Sequence, residues 1–398
     1  MSTELSQKVR AEFHALTGRE PEGIWYAPGR VNLIGEHTDY NAGFVLPLAI
    51  DRHVLLAASR RSDGVLRVRS LDKGETVEVP DVRELVPAAS WKGAWAAYVI
   101  GMAWALRDAG YAVGGADIVV GSTLQAGAGL SSSAALECGT GRALTDLHAG
   151  ALAGTWPSRE LSKLDLAQIA QRAENVFVGV PCGLMDQLSS TFGRAGHVLF
   201  IDIRKLDIRP CPFNLAAAGL ALLVIDTRAH HALGESGYPD RRAACERSAA
   251  KLGVPALRDV PIGELDAALA RLEDPILARR TRHIVTENDR VVRVAEKLET
   301  GHPADIAPLL IASHVSMRDD FEISCAELDV AVDAALAGGA LGARMTGGGF
   351  GGSAIALVSE ARTAELEQAV HAAFSARGFT APQIFRAVAG DGVHRIHP

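Results

Sequence analysis

The chain has 398 residues, 48% hydrophobic and 22% charged, a globular balance long enough for two domains. A net charge of −7 with a pI near 6.0 argues against a nucleic-acid binder, which carries a basic face, but leaves phosphate ligands open because backbone amides can hold them. Five cysteines with no Cys-x-x-Cys pair point away from a disulfide framework or zinc site and toward a reduced, cytoplasmic setting.

The polar stretch Met1 to Arg10 reads as helix, with no signal-like apolar segment, and no apolar run reaches membrane-spanning length. Ile24–Ala27 reads as a strand ending at a Pro28-Gly29 turn. Val31–Ile34 and Phe44–Leu48 flank Asn41-Ala42-Gly43, a hairpin-like connection, and Val54–Ser59 continues as strand. Trp95 to Leu106 has helical spacing. Asp117–Thr123 is a predicted strand that runs into a glycine-rich loop and a helix from Ser132 to His148. Leu161 to Phe177 is a predicted amphipathic helix with Leu166, Ile169, Ala170, Ala173 and Phe177 on one face. Strands are expected at Gly196–Ile203 and Leu220–Asp226. The chain then reads as mostly helical until a second glycine-rich loop at Gly347, which leads into a strand at Ser353–Val358. Intermixed helices and strands place the chain in the α+β class. A soft boundary near residue 193 gives an N-terminal domain, 1–193, and a C-terminal domain, 194–398.

Three segments carry the chemistry. Gly29-Arg30-Val31-Asn32-Leu33-Ile34-Gly35-Glu36-His37-Thr38-Asp39-Tyr40 packs four ionisable groups into ten residues beside strands. Arg30 can pair with phosphate, and Glu36, His37 and Asp39 can hydrogen-bond a polyhydroxylated ligand; the bland alternative is a solvated loop. Gly127-Ala128-Gly129-Leu130-Ser131-Ser132-Ser133-Ala134-Ala135 lies between a strand and a helix. Its glycines allow close backbone approach, and the helix start presents unpaired amides to an anion. It has no lysine, so it is not a P-loop; a plain capped helix would read the same locally. Gly347-Gly348-Gly349-Phe350-Gly351-Gly352 formally matches G-x-G-x-x-G, but it precedes a strand, which excludes a dinucleotide fingerprint. Ordering five glycines is costly and is best justified by a close contact. Glu174 and Asp186 flank the Gly/Pro-rich stretch 179–183 and could serve a metal and a nucleophile.

Taken together, these segments resemble the GHMP kinases and, within them, the galactokinases. Ala27-Pro28-Gly29-Arg30 through Asp39-Tyr40 is similar to the galactokinase signature. Gly129 to Ala135 is similar to the superfamily's phosphate loop, and Arg344-Met345-Thr346-Gly347 through Gly352 to its third motif. Glu174 and Gly179-Val180-Pro181-Cys182-Gly183-Leu184-Met185-Asp186-Gln187 match the catalytic segment. The resemblance implies a two-domain GHMP kinase fold with the site in the cleft between domains, ATP and Mg2+ as cofactors, and galactose as the sugar, without a nucleic-acid, membrane or obligate protein partner. It makes Arg30 and Asp186 the catalytic pair. Glu36, His37, Asp39, Gly183 and Tyr238 are expected at the sugar. Trp95, Tyr98, Gly127, Ala128, Gly129, Leu130, Ser131, Ser132, Ser133 and Gly348 are expected at ATP, with Ser132 and Glu174 on the metal. Two positions depart from the family pattern: Gln125, where proline is usual, and Gly237, where glutamate is frequent. N-acetylgalactosamine or arabinose are alternative sugars. A non-catalytic galactose and ATP sensor is a further alternative, disfavoured because Arg30, Asp186 and Ser131 to Ala135 are all present.

Overall fold

The computed structural model describes residues 3–125, 127–149, 160–230 and 234–396. Met1 and Ser2, at the start of the expected N-terminal helix, lie outside the described residues. In chain order, α1 (Thr3–Thr17) precedes β1 (Gly23–Asn32), β2 (Phe44–Val45), β3 (Pro47–Arg60), β4 (Leu66–Ser70) and β5 (Thr76–Val79). Next come α2 (Ala97–Asp108), β6 (Ala116–Ser122), α3 (Ser132–His148), α4 (Lys163–Arg172), α5 (Met185–Phe192), β7 (His197–Asp202), β8 (Asp207–Pro212) and β9 (Leu220–His230). The helices α6 (Gly234–Leu252), α7 (Leu265–Ala270), α8 (Pro275–Glu299), α9 (Ala307–Val315) and α10 (Ala326–Ala337) follow. The chain ends with β10 (Ala340–Thr346), β11 (Gly351–Ser359), α11 (Thr363–Arg377), β12 (Gln383–Arg386) and β13 (His394–Ile396).

The strands form three sheets, ordered β13-β1-β3-β6-β4-β5, β10-β11-β9-β12 and β2-β7-β8. Only β4 and β6 pair in parallel; the other described pairs are antiparallel. Two sheets draw strands from both sides of residue 193: β13 returns to β1, and β2 joins β7 and β8. We propose the division at 193 for the order of the motifs, not for two units that fold apart. One large core lies between the six-stranded sheet and helices α2, α3 and α4. A second lies between β9–β11 and helices α6, α8, α10 and α11. Helix α8 shows how sequence sets an element. Asp274 caps the amides of Ile276 and Leu277, Pro275 fixes the first helical φ, and Leu277, Ile284, Val291, Val294 and Leu298 are buried along its length.

Four expectations shift. Pro28-Gly29 does not end the first strand; β1 runs through it with a bulge between Pro28 and Arg30, which absorbs the missing Pro28 donor and sends the Arg30 amide to the Leu130 carbonyl at 3.1 Å. The helix expected over Leu161–Phe177 is α-helical only to Arg172, and Ala173–Val178 widens into a π turn. Trp95 lies just before α2 rather than in it. The second glycine-rich loop, at Gly347, joins two strands, because β10, hidden in an Ala/Gly-rich stretch, precedes it.

Candidate active site

Two cavities meet at one ion pair. The smaller, about 540 Å³, is walled by Glu36, His37, Asp39, Gly183, Tyr238 and Gly348 among others; the larger, about 1290 Å³, is walled by Trp95, Tyr98 and the loop after β6. Arg30 and Asp186 line both. Arg30 sits just past the β1 bulge and Asp186 in the first turn of α5. Its Nε and Nη2 donate to the two Asp186 carboxylate oxygens at 2.8 and 2.9 Å, and its Nη1 donates to the Gly129 carbonyl at 2.6 Å. This bidentate pairing fixes the guanidinium plane as well as its charge. The Ser131 hydroxyl also donates to Asp186. Ser131 holds a left-handed φ of 56° at the start of α3, so the loop turns this serine toward the carboxylate.

In the smaller cavity, Gly183 is a steric requirement: a Cβ there would come within 1.5 Å of Asp39 Oδ2. Burial pushes the Asp39 carboxyl up to about 6, helped by the nearby Asp186 charge and opposed by the Tyr40 amide and Arg30. Gly183→Ala should displace Asp39. Because a displacement of about 1 Å costs on the order of a hundredfold, kcat/KM for the sugar should fall by about that factor while KM for the nucleotide holds. Unchanged sugar kinetics would remove Asp39 from the sugar wall. His37 has both ring nitrogens engaged, Nδ1 with the Tyr40 hydroxyl at 2.7 Å and Nε2 with the Gly348 carbonyl at 3.0 Å. Burial lowers its pKa to about 4, so it is a neutral, fixed wall whose ring packs against Tyr238 at 5.0 Å. Glu36 is bound by Arg344, by the Gly347 amide at 2.8 Å and by Thr346 Oγ1 at 3.3 Å. That leaves it little free acceptor capacity for a ligand.

Glu174 lies on the π turn, an irregularity common at functional sites. It accepts from Gln187 Nε2 at 2.8 Å and from Cys182 Sγ at 3.4 Å, and Ser133 hydrogen-bonds it too. Burial, then the Asp186 charge, pushes it up to about 7. Beneath it Glu137 is fully buried and pushed well up by burial and by Glu174, with one oxygen unpartnered.

The galactokinase galactose-binding signature matches residues 11–60, the GHMP kinase N-terminal domain matches 97–194 and the GHMP kinase C-terminal region matches 294–376. Galactokinase of Streptomyces coelicolor is 52% identical over the full length of both chains. The chain belongs to the galactokinase family. Galactokinase of Mycobacterium tuberculosis H37Rv is 43% identical over 92% of this chain and 97% of its own. A crystal structure of Lactococcus lactis galactokinase complexed with galactose superposes with a TM-score of 0.90 at 30% identity, covering 98% of this chain and all of that one. A mevalonate kinase shares the fold at a TM-score of 0.63 and 19% identity, over 92% and 98% of the two chains.

Within this galactokinase-family framework the expected residues separate into three groups. Arg30, Asp186, Glu36, His37, Asp39, Gly183 and Tyr238 line the smaller cavity. Trp95, Tyr98, Gly127, Gly129, Leu130, Ser131, Ser132 and Ser133 line the larger one. Gly348, expected at ATP, walls the smaller cavity instead. The Ala128 carbonyl is taken by Ser353 Oγ at 2.7 Å, and Ala128 lines neither cavity. Ser133 hydrogen-bonds Glu174, while Ser132, expected at the metal, lines the larger cavity. The Gly237 departure has a steric reason: a Cβ there would meet the Phe350 ring at 2.3 Å, so Phe350 fills the space a longer residue would need. Cys182, Gln187 and Arg344 stood inside the quoted motifs without a role of their own, and Glu137 escaped the sequence reading. Glu137 had one signal: it stands four residues after Ser133, on the same helix face. A separate groove of about 1020 Å³ contains Arg19, Arg61 and Arg67, all spent on buried Asp117, and none of the motif residues. No helix among the described residues is long and apolar enough to cross a membrane.

Proposed function

We infer that this chain transfers the γ-phosphoryl group of ATP to the anomeric hydroxyl of galactose, forming galactose 1-phosphate in galactose metabolism. The observation that carries this reading is the Arg30–Asp186 pair standing in the wall common to both cavities. A sugar in the smaller and a triphosphate in the larger would meet there. Asp186 orients the attacking hydroxyl, and Arg30 bridges that carboxylate to the transferring group. Phosphoryl transfer needs positioning and charge neutralisation more than covalent catalysis. Asp39, Gly183 and Tyr238 shape the sugar side; Trp95 and Tyr98 flank the base; the amides of Gly127 to Ser133 face the phosphates.

Sugar discrimination rests on buried acceptors that a wrong epimer leaves unpaired. ATP consumption measured with galactose, glucose, N-acetylgalactosamine and arabinose tests the reading. Galactose should exceed glucose in kcat/KM by on the order of a thousandfold. Similar rates with both would leave a generic sugar kinase.

Magnesium takes oxygen ligands and retains several waters. The buried carboxyls of Glu174 and Glu137, one Glu137 oxygen being unpartnered among the described residues, and the hydroxyls at the start of α3 make a donor set that fits it. Glu174 and Ser132 would hold the ion, which when bound neutralises charge on the phosphates. Glu174→Gln should raise the magnesium concentration for half-maximal rate by about tenfold. A titration that overlays wild type would remove Glu174 from the metal.

A further inference from the structure

The phosphate loop brings no lysine, so the positive charge that a triphosphate needs must come from elsewhere. Among the described residues, the larger cavity is lined by four cations, Arg30, Arg52, Lys73 and Arg228, against two carboxylates, Asp72 and Asp186. That excess suits the dianionic magnesium complex of ATP. The cations are not equally available. Arg30 is committed to Asp186 on two nitrogens and to the Gly129 carbonyl on the third. Arg52 lies over the Phe385 ring at 4.0 Å and reaches the Thr123 carbonyl at 3.4 Å. Arg228 is exposed, and among the described residues its guanidinium has no hydrogen-bond or carboxylate partner; only its amide is bonded, to Asp226 Oδ1 at 2.9 Å.

Its backbone is unusual. Arg228 has φ of 57° inside β9, a left-handed conformation that is unfavourable for a bulky residue. The kink coincides with the register shift between β9 and β11, opposite Gly351 and Ser353. Thr227 pins it by donating to the Gly352 carbonyl at 2.6 Å. The same stretch of β11 supports the phosphate loop: Ser353 Oγ donates to the Ala128 carbonyl, and the Gly352 backbone packs on Gly129. The kink therefore sets Arg228 beside the loop whose amides face the phosphates. Strain held by surrounding structure at a cavity wall marks function.

We propose that Arg228 is a phosphate-binding residue that supplies the mobile cation the lysine-free loop lacks, closing on the triphosphate of bound ATP. The proposal rests on the nucleotide reading of the larger cavity. Arg228→Asn and Arg228→Gly test it, since both residues tolerate the left-handed backbone. The probes are the non-hydrolysable ATP analogue AMP-PNP with magnesium, and adenosine, each titrated calorimetrically. In both variants AMP-PNP affinity should fall by about tenfold, the scale of a charge-assisted hydrogen bond, and KM for ATP should rise alike. Adenosine affinity and KM for galactose should hold, and Arg228→Lys should restore most of the AMP-PNP affinity. Arg228→Gly should also melt at or above the wild-type temperature, because it relieves strain; a purely structural role would lower it. Unchanged AMP-PNP affinity, or equal losses for AMP-PNP and adenosine, would overturn the proposal. Wild-type protein that bound no AMP-PNP would instead overturn the nucleotide reading itself.

Discussion

Asp186→Asn should cut turnover by about a hundred- to ten-thousand-fold, the range of a positioned acid–base group, while AMP-PNP still binds. The carboxylate takes two hydrogen bonds from Arg30 and one from Ser131. An asparagine keeps the shape but replaces one acceptor with an NH2 donor. In either orientation that donor faces a guanidinium N–H, and on the Oδ2 side the serine hydroxyl as well, so the bidentate lock opens. The attacking hydroxyl loses its acceptor in the same change. Nucleotide binding should survive, because the amides of Gly127 to Ser133, proposed to hold the phosphates, do not depend on this charge. Initial rates from coupled ATP consumption, with a melting curve as the control, decide the matter. Near-normal turnover with an intact fold would show that this aspartate does not act in the chemistry.

Legibility followed the kind of signal. The motif segments were readable because each packs rare residue types into a short stretch, and Arg30 and Asp186, 156 positions apart, needed only the family pattern to be paired. Long periodic helices were readable too; α3 starts and ends where its spacing places it. Strand β10 was not, because Ala340-Leu341-Gly342-Ala343 offers neither alternation nor β-branching, and its place is set by pairing with β11. Glu174's π turn was hidden for a related reason: the apolar stripe of α4 continues past Arg172 at nearly the same period, so only tertiary packing distinguishes the wider turn. His37 was legible as a site residue but not as one with both nitrogens occupied, since Gly348 lies 311 positions away. Arg344 was visible as part of the third motif, but nothing local in the sequence joins it to Glu36.

That buried partnership makes Arg344→Met the most destabilising single change expected near the site, about 3–5 kcal/mol. Arg344 is fully buried, donates to the Leu33 carbonyl at 2.8 Å and to Glu36, and lies 3.9 Å from Glu287. Glu287 is less exposed to the loss, because Arg290 Nε at 2.7 Å, Ser313 Oγ at 2.7 Å and the Gly35 amide at 3.0 Å also reach it. Glu36 keeps only the Gly347 amide and Thr346. Burial already raises its pKa, and Arg344 is the main force opposing that rise. In the variant that opposition is gone, so the folded-state pKa of Glu36 rises further above its unfolded value. The destabilisation should therefore be greatest near neutrality and shrink as pH falls toward the unfolded carboxyl value of about 4.3. Urea unfolding at pH 7.5 and pH 5 measures this, with the m-value checked for constancy. Adding Glu36→Gln to Arg344→Met should recover part of the stability at pH 7.5, because a neutral amide takes the place of a stranded carboxylate. If the double variant were no more stable than the single one at either pH, the cost would lie in lost packing rather than in the uncompensated charge.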